Sequence, residues 1–432
     1  MSRKNVFVLG LNAFNRAKLQ SIHDAERYEF VGVLEPALIY DAIEFDMPGL
    51  LSQAEARIAA HGGPVDAIVG YIDFPVSTML PLLCRRFGAR GPSLESLLKC
   101  EHKYWSRLEQ RRVVPEHIPR FCAFDPFADD PLAQIDLPFP FWVKPIKASG
   151  SHLGFRIADR GAFERALPEI RARIGNLGEP FNYVLQQADL PPEVADIDGH
   201  FCIAESLIGG RQCTVEGYCQ NGRAHVHGIV DSIRLPNRSS FARYQYPSRL
   251  PPRVRRRMTE ITARFLEHVG YDDAAFNVEL FWQPKGDHVW LLEVNTRVAQ
   301  HHSELFEKVG GVSNHEVAVE VALGSRPRMP ETGGEFTCAA AFFLRTYADA
   351  FVEAVPSEAW IAAVAREVPG TVVDLHVSEG MWLSELPEQD SYSYYLAIIY
   401  VGAHGQRELL RRYRRVVERL PFRLSPRVPR AA

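Results

Sequence analysis

The stretch AFNVELFWQPKGDHVWLLEVNTR, residues 275–297, reads as two apolar runs folded about a turn. Residues 275–282 and 288–295 are the runs, and Pro284, Lys285, Gly286 and Asp287 between them are good hairpin-turn residues. Each run carries one carboxylate among Val, Leu and Phe: Glu279 in the first, Glu293 in the second. Burying two carboxylates without a cation is costly. Glu279, Glu293 and Asn295 together offer oxygen ligands of the kind that hold Mg²⁺ against substrate phosphates. Alternate residues of a strand share a face, so Glu293, Asn295 and Arg297 project together. An arginine there can grip a phosphate or carboxylate through two N–H groups. The competing reading is a hairpin whose acids face solvent.

Upstream, residues 143–154 read VKPIKASGSHLG. A strand delivers Lys144, and a loop of Ala, Ser and Gly follows at once. Small residues let backbone N–H groups approach anionic oxygens, and the lysine adds a point charge. This is not a Walker loop, because the lysine precedes the glycines. The alternative is an ordinary turn beside a snorkelling lysine. Between this loop and the hairpin, residues 204–217 (AESLIGGRQCTVEG) read as strand, glycine turn, strand, with an acid near each end.

The N-terminal residues alternate strands and helices. Residues 5–9 (NVFVL), 30–34 and 66–71 are strand-like, and 14–22 and 77–87 are helical. That order implies a parallel, Rossmann-like sheet up to about residue 95. After the first strand the chain reads GLNAFN, with one glycine, so a dinucleotide fingerprint is absent. Residues 93–112 read as one helix carrying Lys103. Prolines punctuate 115–140, and strands are expected again at 139–144, 183–187, 201–207, 211–219 and 224–232. Helices are expected at 161–174 and 253–269. Strands at 337–344 and 394–401 open a third, smaller α+β unit near residue 330. Arg411, Arg412, Arg414 and Arg415 interleave with Leu409, Tyr413, Val416 and Leu420 at helical spacing, which makes them the wet face of a packed helix.

Composition bounds the class. At about 150 residues per domain, 432 residues make roughly three domains. Apolar residues are 46% and charged residues 24%, which is globular and argues against bulk disorder. A net charge of −4 argues against a general nucleic-acid or anionic-membrane binder. No apolar run approaches the roughly 18–20 residues of a membrane span. The start, Met1-Ser2-Arg3-Lys4, lacks a signal pattern, so a cytoplasmic location is expected. Seven scattered cysteines without a CxxC pair suggest neither a disulfide framework nor zinc.

The order of these pieces resembles the ATP-grasp superfamily, and within it the amino-acid and peptide ligases. The pieces are a Rossmann-like domain, a helix lysine, a strand lysine with its small-residue loop, a Glu–Gly hairpin, and strands bearing Glu and Glu-x-Asn-x-Arg. The resemblance implies an ATP-grasp fold, mixed α/β and α+β, in three parts. These are a Rossmann-like pre-ATP-grasp domain (1–95), a catalytic domain (96–330, with a lid at about 120–205) and a C-terminal α+β domain (331–432). It implies that Lys103 and Lys144 bind ATP phosphates, while Lys147, Ser149, Gly150, Ser151 and Gly154 belong to the loop closing over them. Glu205, with Ile208 and Gln212 beyond it, would hold adenine and ribose. Glu279, Glu293 and Asn295 would hold Mg²⁺, two ions in number, with Mn²⁺ able to substitute. Arg297 would face the transferred phosphoryl group.

The implied activity is an ADP-forming ligase that joins a carboxylate, through its acyl phosphate, to an amine, with an amino acid as one partner. The expected partners are ATP and small-molecule carboxylate and amine substrates, with no nucleic acid and no membrane, in a homodimer. After Arg297 the chain reads Val298-Ala299-Gln300-His301-His302, which looks most like the biotin carboxylase branch. There a Glu acts as base where His301 stands here. Bicarbonate activation is therefore an alternative, and His301 is a candidate base for deprotonating an amine. A catalytically inactive nucleotide-sensing protein is the alternative from another class.

Overall fold

The computed structural model describes residues 3–40, 42, 44–148, 153–235, 240–386 and 393–426. They form two compact units. The first comprises residues 1–227, 250–300 and 315–328; the second comprises 228–249, 301–314 and 329–432.

In the first unit the strands Lys4–Leu9, Tyr28–Val33 and Ala67–Gly70 make a parallel sheet with Lys4–Leu9 in the middle. Its centre is apolar on both faces, with Val6, Phe7, Val8 and Leu9 fully buried, as a strand covered on both sides requires. A four-stranded antiparallel sheet has the order Phe121–Phe124, Cys202–Ser206, Phe141–Pro145, Phe155–Ile157. A third set, His288–Asn295, Ala274–Gln283 and Arg211–Gln220, pairs antiparallel in that order. The helix Pro252–Val269 packs an apolar stripe of Val254, Met258, Ile261, Phe265 and Leu266 inward.

The second unit pairs Phe241–Tyr246 with Cys338–Thr346, then Tyr394–Ala403, then Thr371–Leu375, all antiparallel. Its helix Gln406–Arg419 buries Leu409 and Val416, while Arg415 and Arg419 pair with Glu367 on the wet side. That is the arrangement expected for its arginine run. All seven cysteines are free thiols. Among the described residues no helix is long and apolar enough to cross a membrane.

Two expectations need correction. Residues 93–112 are two helices, Leu94–Glu101 and Lys103–Val113, broken at His102, whose backbone is extended. The His102 side chain accepts a hydrogen bond from the Trp105 N–H at 3.1 Å and so caps the second helix. Lys103 therefore opens a helix and does not lie in the middle of one. The strand expected at 183–187 is the end of a helix, Gly175–Leu185. A short apolar run does not distinguish the two periods. The helix wins because Gly178, Phe181, Val184 and Leu185 bury one face. Gly178 lies against the chain at Gly199, where an added Cβ would stand 2.6 Å from the Gly199 carbonyl oxygen.

Alanine is a better helix former than glycine by about 1 kcal/mol. At this position the backbone contact reverses the sign. Gly178→Ala is expected to lower stability by about 1–3 kcal/mol, read as a lower urea midpoint. An unchanged or higher midpoint would show that the helix and the Gly199 segment separate easily.

Candidate functional site

The site residues of the first unit sit where its helices and strand ends converge. Lys103, at the first position of its helix, donates from Nζ to the Ala148 carbonyl at 2.8 Å and lies 3.1 Å from Glu293 Oε1. Burial pushes this ammonium below its usual pKa, Glu293 opposes that, and Lys144 and Lys147 add to it. Glu293 is the mirror case. Burial would raise its pKa, but Lys103 and Lys144 hold it below the usual carboxylate range.

Lys144 comes from the strand Phe141–Pro145, and its Nζ lies 3.0 Å from Glu205 Oε2 on the neighbouring strand. The other oxygen of Glu205 accepts a 2.6 Å hydrogen bond from Arg107 Nε. Arg107 stands one helical turn beyond Lys103 and also donates to the Leu291 and Leu292 carbonyls at 3.1 and 2.8 Å. It thus ties the helix to the Glu293 strand. Burial works against the Glu205 carboxylate, but Arg107 and Lys144 together bring its pKa down to about 2.

Glu279 and Glu293 are direct cross-strand partners, and so are Asn277 and Asn295. Gln212 donates to Glu279 Oε2 at 2.7 Å, and Asn295 Nδ2 lies 3.5 Å from Glu279 Oε1. Like charges directly opposite on a sheet repel, so this pair is suited to a cation between them. Among the described residues no group of three or more His, Cys, Asp or Glu side chains is placed to hold a metal ion. Glu279 and Glu293 are register partners on their strands, and the Asn295 amide reaches Glu279. That donor set fits an ion such as Mg²⁺, which takes its other ligands from phosphate and water.

Arg297 is partly exposed and lies 3.7 Å from Asp73 Oδ2. Lys147 is buried, with its Nζ 2.5 Å from Glu101 Oε2 and 3.4 Å from Asp73 Oδ1. Burial lowers the affinity of Lys147 for its proton, but Glu101 and Asp73 more than restore it.

The structure thus brings together Lys103, Lys144, Lys147, Glu205, Gln212, Glu279, Glu293, Asn295 and Arg297 of the sequence-derived set. Ile208 is half-buried in the turn after the Glu205 strand, and Gly154 leads into the strand Phe155–Ile157. Ser149, Gly150 and Ser151 lie outside the described residues. His301 belongs to the second unit, exposed, with its ring centroid 6.4 Å from that of Tyr244 and 6.1 Å from that of Phe343. Sequence reasoning missed Arg107, Glu101 and Asp73. A signal existed for Arg107, four residues after Lys103 on one helix face. Asp73 was legible only as a turn residue before Phe74-Pro75.

Buried lysines held by carboxylates lie next to a strand pair bearing opposed acids, the chemistry that a polyanion with a divalent cation would need. Residues 137–304 match the ATP-grasp domain family, and the chain carries an ATP-grasp domain in an ATP-grasp fold. Three solved structures are similar along the chain. L-amino acid ligase from Bacillus licheniformis is 16% identical, with a TM-score of 0.70, covering 98% of this chain and 99% of that one. Phosphoribosylglycinamide synthetase from Anaerococcus prevotii is 12% identical, with a TM-score of 0.62, covering 98% and 100%. Biotin carboxylase from Campylobacter jejuni, in an ATP complex, is 13% identical, with a TM-score of 0.64, covering 98% and 92%. No curated protein sequence matches the chain.

Glu205 gives a pH-dependent prediction. Its folded pKa lies below the unfolded one, so its contribution is present above the ordinary carboxylate pKa. It is lost as pH falls toward about 2. Glu205→Gln leaves two buried cations short of a counter-charge and is expected to cost about 3–5 kcal/mol near neutrality. The variant should also lose less additional stability than the parent between about pH 5 and 2. Urea unfolding across that range checks both effects. A parallel pair of acid limbs would contradict the assignment.

Proposed function

We propose that this protein is an ADP-forming ligase that activates a carboxylate as its acyl phosphate and joins it to an amine, with an amino acid as one partner. The observation that carries the reading is the pairing of Lys103 with Glu293 and of Lys144 with Glu205 beside the opposed acids Glu279 and Glu293. The similarity to solved ligases supports it at the level of fold.

In this reading a carboxylate oxygen attacks the γ-phosphorus of ATP, the bond from that phosphorus to the β,γ-bridging oxygen breaks, and ADP leaves. The amine nitrogen then attacks the acyl carbon, inorganic phosphate departs, and the amine proton passes to a base. Such a transfer needs placement and charge neutralisation more than covalent groups. Lys103 and Lys144 offer ammonium groups to the phosphate chain. Glu279, Glu293 and Asn295 would hold Mg²⁺, which supplies Lewis-acid neutralisation when bound. Arg297 presents its guanidinium to the transferred phosphoryl group. Glu205 and Lys147, each engaged by two opposite charges, set their neighbours in place. His301 is the candidate base for the amine.

A biotin carboxylase is also similar in fold. The second reading is therefore bicarbonate activation, with His301 standing where the carboxylase-like run would carry Glu.

A phosphate-release screen over pairs of amino acids, small acids and amines tests the reading. The expected product is lighter than the sum of acid and amine by one water. Glu293→Gln should cut ADP formation by about 10²-fold or more while the protein stays folded. Bicarbonate-dependent ADP release with no need for an amine would overturn the ligase reading.

A further inference from the structure

Asp73 follows the strand Ala67–Gly70 of the parallel sheet, and its carboxylate points at its neighbour Phe74 and at residues of two other segments. Oδ1 accepts the Phe74 N–H at 2.8 Å and faces Lys147 Nζ at 3.4 Å, while Oδ2 faces Arg297 Nη2 at 3.7 Å. Lys147 also holds Glu101 at 2.5 Å. Glu101 in turn accepts a short hydrogen bond from Thr296 Oγ1 on its other oxygen. Thr296 is the neighbour of Arg297 in sequence. Arg297 is therefore fixed from two directions, its guanidinium by Asp73 and its backbone through Thr296, Glu101 and Lys147. The charges along this chain alternate: Glu101 negative, Lys147 positive, Asp73 negative, Arg297 positive. Alternation is what allows four ionised groups to share a partly buried space.

The last link differs from the others. Lys147 and Glu101 are 3% exposed and in tight contact, whereas Arg297 and Asp73 are 24% and 22% exposed. At 3.7 Å their contact is longer than a charge-assisted hydrogen bond of about 2.7–2.9 Å. The Arg297 guanidinium also donates to the Val298 carbonyl at 3.4 Å. Asp73 thus orients the guanidinium through its field without taking up the N–H groups that a phosphoryl oxygen would use.

We propose that Asp73 is a positioning residue for Arg297, anchored by Lys147, Glu101 and Thr296, so that a turn of the Rossmann-like sheet sets the arginine that meets the transferred phosphoryl group. This rests on the ligase reading for the role of Arg297. It also gives Lys147 the task of holding Asp73 in place of direct contact with the nucleotide.

The test uses the full chain and an acid–amine pair that the wild-type protein ligates. Asp73→Asn is expected to lower kcat for acid-dependent ADP formation by about 10- to 100-fold, the scale for a misplaced catalytic group. The ATP dissociation constant, measured by calorimetry, should stay within about twofold. Asp73→Glu, which keeps the charge, should recover part of kcat. In a double-mutant cycle, Asp73→Asn added to Arg297→Lys should cost little beyond Arg297→Lys alone. An unchanged kcat in Asp73→Asn, or losses that multiply in the double variant, would overturn the proposal.

Absence of acid-dependent ADP formation in the wild-type protein would count against the ligase reading instead. The positioning claim is then decided by crystal structures of wild type and Asp73→Asn. A displaced Arg297 guanidinium in the variant supports it, and an unmoved one overturns it. If Asp73→Asn does not fold, Asp73→Glu carries the same comparison, with an intermediate shift expected.

Discussion

The buried cations of the site each meet a carboxylate. An ammonium or guanidinium taken from water costs several kcal/mol unless it is paired and hydrogen-bonded. Lys103 meets Glu293, Lys144 and Arg107 meet Glu205, Lys147 meets Glu101 and Asp73, and Arg297 faces Asp73. These partners come from the parallel sheet, from two helix ends and from two antiparallel sheets. Pairing them fixes where those elements meet.

With Glu279 included, five cationic side chains stand among five carboxylates, so the formal charge of the cluster is zero. This constrains the proposed chemistry. A neutral cluster has no surplus of positive charge to offset a polyphosphate, so on the proposed reading a divalent cation arriving with the nucleotide would supply it. The opposed acids Glu279 and Glu293 are suited to receive that ion, and the lysines to meet the phosphate oxygens. When a polyanion enters, Lys103 and Lys144 can exchange part of their carboxylate contact for phosphate without a charge being left unpaired.

The fold was legible in the sequence wherever one period dominated. The run NVFVL reads as a doubly buried strand, and the 275–297 hairpin lets Glu279 and Glu293 converge, while their direct register is read from the folded strands. Two local readings failed for physical reasons. His102 breaks and caps a helix with a side chain that sequence patterns do not assign to capping. The 183–187 run is too short to show its period, and the deciding contact, Gly178 against Gly199, is tertiary. Glu279, Glu293 and Lys144 stood out because charge inside apolar or small-residue runs is unusual, Asn295 by its place two residues after Glu293, and Lys103 only through the family resemblance. Asp73 and Glu101 did not, because acids at a turn and at a helix end are ordinary. Only the folded contacts with Lys147 and Arg297 distinguish them.

The central claim is that a carboxylate of the substrate is activated by direct phosphorylation. Its most direct test is a turnover experiment with an acid whose carboxylate carries oxygen-18, followed by mass analysis of the released inorganic phosphate. Acyl-phosphate chemistry transfers one labelled oxygen to phosphate for each turnover. Phosphate that carries no label during amine-dependent product formation would contradict the account.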